Sequence, residues 1–258
     1  MLMTDIRTRD TSVIDALDRD SPLRSRMLRC GTPSQWRHKD YCGRVGCLTC
    51  RARYARHQVS KATNRFDGAA PGEFANAQIT IGTTGRVGDI GPVFETARTK
   101  LRNIIDQRRV TQAVWHDVEV LGWMRVAAEG SPAGKPVWTV SAHVVIRHGD
   151  LPWQEFGHLL ADGWKTPGHT AVTPFDPEML IQESLGESIQ RALAPWRADA
   201  AWPTGWISEL YEYVEGWSRS FQSLRIDIGP RDAKLTRHTP YNVADSWIEP
   251  MPVIIDHF

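Results

Sequence analysis

Val137-Trp138-Thr139-Val140-Ser141-Ala142-His143-Val144-Val145-Ile146 is the stretch that sets the fold class. Successive side chains of an extended strand point to opposite faces, so Trp138, Val140, Ala142, Val144 and Ile146 share one face. Thr139, Ser141 and His143 share the other with Val137 and Val145. One face is therefore core, and the middle of the other is polar. The stretch His116–Ala128 reads as a second strand. Gly130-Ser131-Pro132-Ala133-Gly134 is turn material, which predicts a hairpin with a longer loop. Upstream, Ala75–Ile81 reads as a strand entering Gly82-Thr83-Thr84-Gly85-Arg86-Val87-Gly88. That loop lacks the Gly-Lys-Ser/Thr ending of a phosphate loop.

Helical periodicity surrounds these strands. Pro92 sits near the first turn of a helix that turns Phe94, Ala97, Leu101, Ile104 and Ile105 inward. A short helix is expected over about 151–165. Another follows Asp176-Pro177-Glu178, with Asp176 as N-cap, Pro177 at N1, and Ile181, Leu185, Ile189 and Leu193 inward. After a break at Pro195–Gly205, a last helix over about 206–221 turns Leu210, Val214, Trp217 and Phe221 inward. The expected class is α+β: a central antiparallel sheet with helices packed on one face and a groove on the other. The expected division is an N-terminal arm (1–23), a Cys-rich basic module with its helix (24–66), an α+β core (67–228) and an extended tail (229–258).

The four cysteines of the 258-residue chain are Cys30, Cys42, Cys47 and Cys50, the last two in a C-x-x-C step. Four thiols in one short, turn-rich segment predict a tetrahedral zinc site that folds a segment poor in apolar residues. His38 or His57 could replace Cys30 as fourth ligand if the Cys30–Cys42 loop does not close. No run of about eighteen apolar residues is present, so no membrane span is expected. The start, Met1-Leu2-Met3-Thr4-Asp5-Ile6-Arg7, lacks the apolar core of a secretory signal. The expected location is the cytoplasm, where clustered cysteines favour metal over disulfide.

Charge is concentrated around the same cysteines. Between Arg24 and Arg65 stand eleven Lys/Arg and one acid, Asp40, a local +10 in a chain whose net charge is +1. Such a block is an electrostatic footprint for phosphate. After Cys50, a helix buries Ala52, Ala55, Val59, Ala62 and Phe66. Arg53, His57, Lys61 and Arg65 recur every four residues on another face. The predicted phosphate contacts are Arg44, Arg51, Arg53, Arg56, Lys61 and Arg65, with Trp36 and Tyr41 able to stack on bases.

The run Cys42-Gly43-Arg44-Val45-Gly46-Cys47-Leu48-Thr49-Cys50, followed by Arg51, Arg53 and Arg56, resembles the Cys-rich entry of plasmid rolling-circle replication initiators, the Rep proteins of the HUH-endonuclease type. The order and lengths of the following elements are similar over about residues 30–220. The resemblance implies a metal-dependent nickase in which strand histidines hold Mg²⁺ or Mn²⁺ and a tyrosine attacks the scissile phosphate. His143 matches one histidine of the family's strand motif; Thr139 and Ser141 stand at the other two positions. The acidic ligand would fall near Ala127 or Ala128, with Glu129 adjacent but expected on the wrong face. Tyr213 matches the nucleophile, with Glu209 one turn earlier as base. The implied partner is single-stranded or hairpin origin DNA. Three functions stay open: a DNA nickase, a Rep-derived DNA-binding regulator without nicking, and a zinc-stabilised protein that binds RNA or an acidic partner.

Overall fold

The computed structural model describes residues 11–33, 39–131, 133–164, 170–194, 196, 202–217 and 221–230. Five antiparallel strands form one sheet: β1 (Phe74–Thr84), β2 (Glu119–Glu129), β3 (Val137–Arg147), β4 (Thr170–Pro174) and β5 (Arg225–Ile228), in the order β4-β1-β3-β2-β5. The helices are α1 (Thr11–Ala16), α2 (Pro22–Leu28), α3 (Leu48–Arg65), α4 (Ile90–Thr111), α5 (Trp153–Trp164), α6 (Ile181–Ala192) and α7 (Thr204–Trp217). The class is α+β, and β2 and β3 form the expected hairpin.

β3 is the central strand, and its apolar alternation is the middle of the core. Trp138, Val140, Ala142, Val144 and Ile146 are all buried. Strand register carries that face outward through Ile79, Ala77 and Val172 on one side and through Gly122 and Ile226 on the other. Helix α4 covers this face: a Cβ at Gly82, opposite Val140, would meet Val93 at 3.6 Å. Helix α5 covers it near β4, where Gly157 lies against Val172.

The second face is covered too, which corrects the expectation of helices on one face only. The row Gln78, His143, Trp123 and Arg225 runs across β1, β3, β2 and β5 on this face. Tyr54 of α3 accepts a hydrogen bond from the Trp123 indole at 3.3 Å. Arg125, opposite Ser141, reaches the Arg191 carbonyl of α6 at 2.7 Å. The sheet therefore lies between α4 and α5 on one side and α3 and α6 on the other. The reason is in β2: Glu119–Glu129 reads E-V-L-G-W-M-R-V-A-A-E, apolar on both faces at its centre. Leu121 and Trp123 on one face, and Val120 and Met124 on the other, are almost fully buried. A central strand apolar on both sides needs two covers, and each such buried side chain contributes about 1.5–3 kcal/mol.

Three further expectations are corrected. Helix α6 begins at Ile181 after Leu180, not at Pro177, because the Asp176 carboxylate accepts from the Glu178 N–H at 2.9 Å and closes a separate turn. Helix α7 is described to Trp217, and Phe221 lies in a turn, not in the helix, stacked on Tyr54 at 4.8 Å. The arm over 1–23 is not separate where it is described: α1 packs on α7, with Val13, Ile14 and Leu17 buried. A continuous set of buried side chains runs from Val13 through the cysteines to Ile228. Nearly all of the tail, 231–258, lies outside the described residues. No helix among the described residues is long and apolar enough to cross a membrane.

Candidate metal centre and basic helix face

The four cysteines converge. Cys30 follows Arg29, the C-cap of α2; Cys47 stands before the first residue of α3, and Cys50 lies in its first turn. The Cys30–Cys42 loop closes through the Gly31 N–H to the Asp40 carbonyl at 2.7 Å and the Asp40 N–H to the Thr32 carbonyl at 3.2 Å. Gly43 takes the left-handed φ of 68° that the turn after Cys42 requires, and its N–H donates to Cys50 Sγ at 3.1 Å.

All four Sγ atoms lie within 4.8 Å of one another, with Cys30 to Cys50 at 3.4 Å and Cys42 to Cys50 at 3.6 Å. A tetrahedron of sulfurs at about 2.3 Å from zinc has edges of about 3.8 Å, so the set fits such an ion, and all four cysteines are free thiols. Cys30, Cys47 and Cys50 are buried and Cys42 is half-buried. Four thiols this close cannot ionise independently. Cys47 is held far below the usual thiol range by hydrogen bonds from Cys42 and then Cys50, while Cys42 is pushed far up, first by the bond it shares with Cys47. A divalent cation removes that competition by taking all four as thiolates. Among the described residues no other group of three His, Cys, Asp or Glu is placed to hold a metal. His57 is exposed on α3, away from this role, and His38 lies outside the described residues with Trp36.

The structure divides the six predicted phosphate contacts. Arg51 is buried (5% exposed): its guanidinium donates to the carbonyls of Leu193 and Ala194, both at 2.8 Å, and of Val45 at 2.6 Å. It lies over the rings of Trp196 and Phe221 at 5.9 and 5.7 Å. Arg44 pairs with Glu215 at 2.9 Å, and Arg65 pairs with Glu119 and with Asp227 at 2.8 Å. All three arginines make contacts within the protein, and the burial of Arg51 takes its guanidinium out of reach of a phosphate. The block of charge in the sequence cannot distinguish a cation aimed at solvent from one that closes a gap between helices.

Arg53, Arg56 and Lys61 remain on the outer side of α3, with Arg56, His57 and Lys61 exposed. Arg53 lies 4.1 Å over the ring of Tyr41, itself exposed, which makes a flat platform beside the cysteine cluster. His57 is shifted below its ordinary value, first by partial burial and then by the neighbouring charges of Lys61 and Arg53. The cysteine cluster stands at the start of the helix, and the helix then presents cations at four-residue steps.

The pieces of the expected nicking site do not meet. His143, Ser141 and Thr139 do share a face, and Glu129, opposite Val137, shares it as well, which corrects its placement on the wrong face. Ala127, at the position expected for the acidic ligand, stands opposite Thr139, however, and Arg125 stands opposite Ser141, so a cation lies at the centre of that face. The His143 imidazole is pulled down to about 4 by burial and then by Arg125 and Arg191. The helix facing His143 is α6, whose inward residues are Ser184, Leu185, Ser188, Ile189 and Ala192; it contains no tyrosine. Tyr213 belongs to α7 and lies at the start of α4, which covers the opposite face. Its hydroxyl accepts from the Gly91 N–H at 3.0 Å and donates to the Gly88 carbonyl at 3.1 Å, and burial raises its pKa. A Cβ at Gly91 would stand 2.7 Å from that hydroxyl and 2.6 Å from Trp217, so the contact depends on glycine there. Glu209 is exposed on α7. The periodicity of α7 could not reveal that Tyr213 closes a helix start; only the packing of α7 on α4 does so. No family model, no curated protein and no solved structure matches this chain.

Proposed function

We propose that this protein binds DNA through a zinc-held basic helix, and that it does so on a Rep-like α+β scaffold that no longer nicks. In this reading Cys30, Cys42, Cys47 and Cys50 bind zinc in the reducing cytoplasm and fix the start of α3. Arg53, Arg56 and Lys61 contact phosphates, and Tyr41 stacks on a base. The observation that carries the reading is the exposed row on α3, set by the four-cysteine cluster and flanked by the Tyr41–Arg53 platform. The absence of nicking rests on Tyr213, whose hydroxyl is held by two backbone groups on the far side of the sheet from His143. The face of His143 also carries Arg125 and offers one imidazole and Glu129 at its far end, a ligand set too sparse for Mg²⁺ or Mn²⁺ in this reading.

The test is fluorescence anisotropy with labelled single-stranded and hairpin oligonucleotides over a salt series. Arg56→Ala and Lys61→Ala are each expected to weaken binding several-fold and to reduce the slope of log K against log salt by about 0.7–0.9. Equal affinity of wild type and the double variant at low salt would overturn the reading. Binding to RNA or to an acidic peptide with no binding to DNA would replace it with the interaction-protein alternative.

A further inference from the structure

A second polar site lies on the sheet, away from the outer side of α3. Helix α6 covers β3 and β2 but leaves β1 and β4 partly open, and a cleft of about 200 Å³ remains between them. Its polar lining is Asn76 and Gln78 from β1, His143 from β3, Thr173 from β4, and Ser188 and Arg191 from α6. Register places these groups on one face. Asn76 lies between Thr173 and Val145, and Gln78 lies between Ala171 and His143. Directly paired residues on one face stand about 4.5–5.5 Å apart, within the span of one planar heterocycle. Leu121, Val145 and Ala192 supply apolar walls.

The chemistry of the lining is selective. Among the described residues it contains no carboxylate, so a cationic ligand meets no counter-charge from them. Arg191 is exposed at the mouth and offers a guanidinium fork to an anion. The two carboxamides and the imidazole each offer both a donor and an acceptor, the pattern that reads the polar edge of a base. His143 is neutral at pH 7, because burial and the charges of Arg125 and Arg191 disfavour its cation. Ser188 donates to the Ser184 carbonyl at 2.7 Å and is left as an acceptor. We propose that this cleft binds a nucleoside monophosphate, with the phosphate on Arg191 and the base against Asn76, Gln78 and His143. The same ligand chemistry can arrive free or as the phosphorylated end of a strand. The proposal does not depend on DNA binding by α3.

The experiment is titration of the full-length protein by calorimetry and by NMR of the His143 ring protons. Probes are deoxynucleoside monophosphates, the matching nucleosides, inorganic phosphate and a 5′-phosphorylated oligonucleotide. The oligonucleotide is tested in the Arg56→Ala/Lys61→Ala background, which weakens the α3 surface, and with and without its 5′-phosphate. The expected result is saturable mononucleotide binding that moves the His143 resonances and falls about tenfold or more in Arg191→Ala, where an exposed side chain is removed without touching the core. Gln78→Ala should weaken the mononucleotide and leave inorganic phosphate unchanged. Oligonucleotide binding that needs the 5′-phosphate marks the strand end as the source; mononucleotide binding alone marks the free ligand. The proposal is overturned if inorganic phosphate binds as tightly as the mononucleotides, if binding leaves His143 unmoved, or if nothing binds at millimolar concentration.

Discussion

Replacing Arg51 by methionine separates a structural arginine from a DNA contact. The guanidinium joins three segments: the Val45 carbonyl of the cysteine loop, the Leu193 and Ala194 carbonyls after α6, and the helix α3 that carries it. Hydrogen bonds from a charged donor are worth about 1.5–3 kcal/mol each, and methionine supplies none of the three. Releasing a buried cation returns part of that loss, since desolvation already lowers the pKa of Arg51 against the opposing effects of Tyr211 and Cys47. The net expectation is a loss of about 3–5 kcal/mol, a large share of the roughly 5–15 kcal/mol that stabilises a typical domain. Urea unfolding followed by tryptophan fluorescence should show a midpoint lowered by about 1–2 M at an unchanged slope. Arg51→Lys should restore little, because one ammonium cannot reproduce a planar fork aimed at three carbonyls. DNA affinity of the folded variant at low temperature should stay within about twofold, whereas Arg56→Ala should lose affinity and keep its midpoint. A stable Arg51→Met protein with weakened DNA binding would refute the reasoning, since the guanidinium would then face the ligand.

Metal analysis of freshly purified protein should give one zinc per chain, and Cys50→Ser or a strong chelator should release it. Limited proteolysis should then cut between α2 and α3, because the sulfur cluster is what joins them. Tyr213→Phe removes the acceptor of the Gly91 N–H and the donor to the Gly88 carbonyl. It should cost about 1–2 kcal/mol of stability, while neither it nor wild type forms a covalent adduct with labelled single-stranded DNA in Mg²⁺ or Mn²⁺; an adduct in wild type alone would restore Tyr213 as nucleophile. Stability should fall on acidification through His143, whose folded value of about 4 lies below its unfolded value near 6.5. Its contribution is complete above the unfolded value and declines as pH falls to the folded one, by at most about 3 kcal/mol and less where the ring edge is solvated. A His143→Gln variant should flatten that part of the pH profile; an unchanged slope between pH 6.5 and 4 would show that the imidazole is solvated.

The sequence by itself determined the elements and the cysteine cluster. Alternation in Val137–Ile146 places β3, because a side-chain period of two is a local property of the strand. The spacing of Ala55 and Ala62 finds α3, and the cysteine pattern finds four thiols that the structure brings within 4.8 Å. A continuous apolar run in β2 also carried the signal for a sheet covered on both faces, in Leu121 and Trp123 beside Val120 and Met124. Tertiary structure alone decided which cations are available. Arg51, Arg53 and Arg56 look alike along the chain, yet their directions around α3 send the first into the core and the last to solvent. It also decided which helix meets His143. Residues 181–192 and 204–217 both read as helices after the same strand, and the packing of α6 on β3, with α7 at the start of α4, separates Tyr213 from that histidine. Local periodicity fixes what an element is; the partner of each side chain is set by contacts between residues far apart in sequence, such as Arg51 with Leu193 and Tyr213 with Gly91.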